Sequence, residues 1–155
     1  MKMLLRVKEL KEEQAMRAMQ AKRQQFDSAQ RQRVSAEADV TESAATLPSR
    51  ENAIYAEILG KIVDQDEIDQ TKGRVVQLEK EHGALKDIAE RCRHVEHRLE
   101  GELESATLAY RYAQKKRDKF QIVTDDLVSA AAVEAEHREE VEVEDLFSRP
   151  RARMA

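Results

Sequence analysis

The stretch TLPSREN, residues 46–52, holds the only proline in the first 149 residues. The residue before a proline is pushed out of the α region, so Leu47 is expected to leave any helix that reaches it. Ser49 is then placed to cap a new helix, with Glu51 favourable in its first turn. The stretch reads as stop, turn and start. It predicts helix 1 over about 2–45, a turn over 46–50 and helix 2 over about 51–145, all within one elongated unit, 1–147. A flexible tail, 148–155, follows, because Pro150 stops helical continuation.

Composition points the same way. Charged residues make up 37% of the 155-residue chain and aromatics only 4%, with no Trp. Such a chain has little with which to fill a three-dimensional core, and it resembles long helices and coiled coils. Four Gly and two Pro leave few residues for turns, which argues against all-β and α/β folds. The fold class expected is all-α: two long helices in an antiparallel coiled-coil hairpin, the second much longer than the first.

The net charge of −4 gives no general attraction to nucleic acid. Its distribution is uneven: ten Lys and Arg stand against seven Asp and Glu in residues 1–50, and seven acids against Arg138 alone in 134–145. The single cysteine, Cys92, rules out an intramolecular disulfide and fits a reducing compartment. The opening MKMLLRVKELKEE has too short an apolar run for a signal peptide. No segment approaches the roughly 20 apolar residues of a membrane span. The expected location is cytoplasmic, without membrane insertion.

The repeats carry most of the information. In helix 1 a seam through Ala15, Met19, Phe26, Ala29, Ala36 and Val40 keeps a 4-3 spacing once Lys22 and Arg33 are counted as seam positions. In helix 2 every seventh residue from Leu78 is apolar: Leu85, Cys92, Leu99, Ala106, Ala113, Phe120 and Leu127 follow. Ile88, Val95, Val123 and Ala130 are read as the interleaved positions. A repeat of seven sustained this long argues for a coiled coil. A turn at Pro48 sets Met19 opposite Leu78, Phe26 opposite Thr71 and Ala29 opposite Ile68. Helix 1 then runs out near residue 95. About 50 residues of helix 2 are left with an apolar stripe and no partner, which something is expected to cover. Gly83 and Gly101 are candidate bends in this arm.

Sites for chemistry are sparse. LGKIV, 59–63, has the Gly-Lys pair of a phosphate loop without the upstream glycine or the following Ser or Thr, and is read as helix interior. His94 and His97, near Glu90 and Glu96, have metal-compatible spacing but too few ligands, and are read as a solvated face. Cys92 falls on the seam as a small hydrophobe. No catalytic, cofactor or metal residues are assigned. Arg111, Lys115, Lys116, Arg117 and Lys119 form a basic cluster interleaved with Tyr110, Tyr112 and Phe120. It reads as a solvated face, as a contact for an acidic protein surface or, ranked last, as a nucleic-acid site.

The start MKMLLRVKELKEEQA, the junction TLPSRENAIYAEILGKIV and the later RYAQKKRDKF together resemble the YscO/FliJ family. These are the central-stalk proteins of type III secretion and flagellar export. The resemblance covers nearly the whole chain in layout and local flavour. It implies a non-enzymatic stalk that inserts its termini-proximal end into the hexameric export ATPase, peripheral to the inner-membrane export apparatus. It also implies contacts with the export gate and with secretion chaperones. For the gate, the similar positions are Tyr55, Ile58 and Ile62; Gln65 and Asp69 stand where relatives carry a small residue and a histidine. The other reading is that Ile58 and Ile62 pack on helix 1. For the ATPase, the overhang offers the basic cluster with Phe120 and Leu127. Two further classes stay open: a self-associating coiled-coil scaffold, whose overhang packs on its own copy, and a nucleic-acid-binding helix pair.

Overall fold

The computed structural model describes residues 1–149. Two helices account for nearly all of them: α1, Lys2–Ala56, and α2, Gln65–Ser148. They pair antiparallel, and α2 is the longer, so the expected fold class holds. Of the predicted tail, 148–155, Ser148 is the last residue of α2, and the part from Pro150 onward lies outside the described residues.

The turn is not where the proline stands. Pro48 lies inside α1, so the predicted turn at 46–50 and the cap at Ser49 are both overturned. Proline in a helix removes the bond to the carbonyl four residues back, here that of Ala44. Ala44 and Pro48 are both exposed, so water reaches that side of the helix. Meanwhile the seam continues in phase beneath it: Val40, Ser43 and Leu47 are covered, and Ile54 and Ile58 extend the row. Continuous packing on one face outweighs a breaker on the other.

The chain reverses over 57–64 instead. Leu59 N donates to Tyr55 O at 3.1 Å and Lys61 N to Ile58 O at 3.2 Å, closing the end of α1. Gly60 takes φ +76°, the left-handed conformation that ends helices and that glycine adopts without penalty. Asp64 then caps α2. Its Oδ1 accepts from Glu67 N at 2.8 Å, and Glu67 Oε2 accepts from Asp64 N at 3.1 Å. This reciprocal pair is a capping box, and Asp66 and Glu67 meet the positive end of the helix dipole. LGKIV is therefore turn, not helix interior.

Moving the turn moves every partner. The described residues divide into two units, one of 18–106 and one of 1–17 with 107–149. Within the first, Lys22 pairs with Glu102, Arg33 with Glu96, Glu37 with Arg93, Arg50 with Glu81 and Glu57 with Arg74. Within the second, Glu12 meets Arg117. These pairings replace the expected juxtapositions of Met19 with Leu78, Phe26 with Thr71 and Ala29 with Ile68. In the second unit cover extends to Thr124, which is buried, and every described residue from Asp125 onward is exposed. The uncovered arm is thus about half as long as expected. Leu99, which a turn at Pro48 would leave bare, is buried, and Ala106, Ala113 and Phe120 are half-covered.

The covered positions of α1 alternate in steps of 3 and 4 from Leu5 to Leu47, with Lys22 and Arg33 in the row as expected. In α2 the row through Leu78, Leu85, Cys92, Leu99 and Phe120 is also as expected. Its interleaved row is not. Ile88, Val95 and Val123 are exposed, and the covered positions are Ala89, Glu96 and Thr124. α2 runs through Gly83 and Gly101 as one helix.

Candidate partner-binding surfaces

In an ideal α-helix successive residues are about 100° apart around the axis. That geometry splits the basic cluster. Arg117 lies in the seam, its Nε 2.9 Å from Glu12 Oε2 and its Nη2 3.3 Å from Glu12 Oε1. Nη2 also reaches Asp118 Oδ1 at 3.2 Å. Phe120 is half-covered, and the Lys8 ammonium sits 4.9 Å from its ring centroid. Both residues hold the hairpin together. Arg111, Lys115, Lys116 and Lys119 are exposed on the rest of the helix, with Leu108, Tyr112 and Ile122 among them.

The Lys116 ammonium sits 4.4 Å from the Tyr112 ring centroid, and its hydrogen bond and charge lower the phenol's pKa. Leu127 is 49% exposed. This face of α2 is cationic and apolar together, a composition suited to an acidic protein surface. A few residues on, the helix changes sign. From Asp125 to Asp145 it carries Asp125, Asp126, Glu134, Glu136, Glu139, Glu140, Glu142, Glu144 and Asp145 against Arg138.

A second surface surrounds the turn. Tyr55 lies in the last turn of α1 and is exposed; Ile62, within the turn, is fully exposed; Ile58 is half-covered. So of the three residues proposed for the gate, two face solvent and one packs partly inward. Leu59 joins them at 71% exposure. The sequence pattern reads 57–64 as helix, where no local signal separates Leu59 from its neighbours. Exposed aliphatic side chains on a short, well-capped turn are a candidate contact.

Between these surfaces in sequence, the seam is lined with charge. The Arg93 guanidinium beside Glu37 holds its carboxyl below the usual carboxylate range. Arg74 does the same for Glu57, and Lys22 for Glu102. Arg33, hydrogen-bonded to Glu96, is raised. His94 and His97 are exposed beside Glu90 and Glu100, and no group of three metal-ligating side chains occurs among the described residues. Cys92 is half-covered on the seam. No helix among the described residues is long and apolar enough to cross a membrane.

The hairpin is thus rich in charged contacts and exposes one mixed stripe and one aliphatic turn. A family profile described as type III secretion protein YscO matches residues 1–149. The chain belongs to the YscO family. The match takes in both helices and the turn between them, so the family extends over each surface described above. Neither the curated proteins nor the solved structures give a match.

Proposed function

We propose that this chain is a non-enzymatic central stalk of a type III secretion apparatus, coupling the hexameric export ATPase to the export gate and to substrate chaperones. Family membership supports the secretion context. The observation that carries the rest is the exposed face of Leu108, Arg111, Tyr112, Lys115, Lys119 and Ile122, with Leu127 beyond it. A ring that grips this face gains apolar area and meets cations that an acidic lining can pair. The gate contact is assigned to the turn, through Tyr55, Leu59 and Ile62, with Ile58 supporting them from inside.

The test uses surface residues only. Lys115→Glu with Lys119→Glu, and separately Leu127→Asp, should keep full helicity by circular dichroism and lose pull-down of the export ATPase. Wild-type capture by both variants would overturn the assignment. Leu59→Asp with Ile62→Asp should spare the ATPase contact and weaken gate binding.

A further inference from the structure

The outward face of α2 in the terminal unit holds a second regular row, separate from the seam. Leu108, Tyr112, Lys115, Lys119 and Ile122 are spaced 4, 3, 4 and 3, and the row continues past the end of α1's cover to Phe147. All its members are exposed: Leu108 at 59%, Tyr112, Ile122 and Val133 at 62%, Phe147 at 86%. A heptad-spaced row with apolar ends and an apolar layer on each side of its centre is the pattern of a helix that expects another helix. α1 does not cover this row, because its contacts with Arg117 and Phe120 lie on the other side of α2.

The row is its own complement when reversed. Reflected about the Leu127–Val128 junction, Leu108 falls opposite Phe147, Tyr112 opposite Val143, and Ile122 opposite Val133. Lys115 falls opposite Glu140 and Lys119 opposite Glu136. At the centre Asp126 meets Ser129. Every apolar position maps to an apolar one and every cation to an acid. The flanks agree in charge: Arg111 and Lys116 lie against the segment that carries Glu139 and Glu144. A parallel arrangement would set Lys115 on Lys115 and Glu140 on Glu140. We infer that this face is an antiparallel, two-fold interface between two copies of the chain, each contact made twice. The apolar layers supply burial, and the charge pairs fix direction and register. Because the dimer occupies Lys115, Lys119 and Ile122, it competes for this face with the export ATPase proposed above, and a chain engages one or the other. The inference stands on the reflection alone, independent of the stalk reading.

The experiment is light scattering on the full chain with charge-reversed copies. Wild type should rise in mass with concentration from 17.8 kDa towards twice that, 35.6 kDa. K115E/K119E and E136K/E140K should each stay monomeric, since each then sets like charges face to face. An equimolar mixture of the two should return to the dimer mass, because every reversed cation meets a reversed acid. The quadruple variant should dimerise alone, which keeps the test decisive if either double variant loses helicity. A wild type that stays monomeric at all concentrations overturns the inference. So does a dimer that both double variants retain, or a monomeric quadruple variant.

Discussion

Ser43 Oγ lies 2.8 Å from His82 Nδ1, so a hydroxyl and an imidazole meet where a heptad seam ordinarily sets two apolar side chains. Ser43 is buried and His82 half-covered. Removing one partner leaves the other short of a bond, whereas replacing both by apolar groups restores a dry layer. Ser43→Ala should cost about 1 kcal/mol in urea unfolding. Ser43→Ala with His82→Leu should recover most of that loss. Strictly additive losses would show that the two groups are independent.

Pro48 and Gly60 should respond in opposite directions. Pro48→Ala restores a helical hydrogen bond at an exposed site and should stabilise by up to about 3 kcal/mol. Gly60→Ala forces a side chain into the left-handed region and should destabilise by about 1 kcal/mol. Thermal melts decide it: a lower melting temperature for Pro48→Ala would return the turn to TLPSREN.

Acid should loosen the seam. Glu37, Glu57 and Glu102 titrate below the usual carboxylate range in the folded chain because hydrogen bonds and charge from Arg93, Arg74 and Lys22 favour their charged forms. Their contribution is present above the unfolded-state value and fades as pH falls through the lower folded value. Urea midpoints should hold steady above pH 5 and fall below about 4.5. Arg74→Gln, which removes the 2.5 Å contact to Glu57, should lower stability near neutrality and flatten the acid slope.

Two substitutions that look alike in sequence should part. Phe120→Asp places a charge in the seam under Lys8 and should destabilise the terminal unit by roughly 1–3 kcal/mol. Leu127→Asp, at an exposed site, should change stability by no more than about 0.5 kcal/mol. Hydrogen exchange of amides 5–17 reports the difference, with faster exchange in the first variant alone.

Much of this fold was legible. Low aromatic content, scarce Gly and the Leu78-to-Phe120 repeat were enough to specify two long paired helices, and Lys22 and Arg33 were placed in the seam by spacing alone. The turn was misread because Pro48 is the strongest local breaker, while packing of Leu47 and Ile54 below it is a long-range effect. Gly60 and the Asp64–Glu67 box were visible, yet each is individually a weak signal. The interleaved row was missed because half of it is polar: His82, Glu96, Arg117 and Thr124 look like surface until Ser43, Arg33 and Glu12 are set against them. The same charge hid which members of the basic cluster are free for a partner.

The placement of the turn also sets an order of assembly. Glu57 and Arg74 are 17 residues apart in sequence, whereas Arg117 and Glu12 are 105 apart. Closing the longer loop directly carries about 1.6 kcal/mol more chain entropy. Gly60 and its cap therefore give the chain a starting point, from which each closed pair shortens the loop to the next. Loop entropy thus favours closure that starts at residue 60 and proceeds outward, pair by pair.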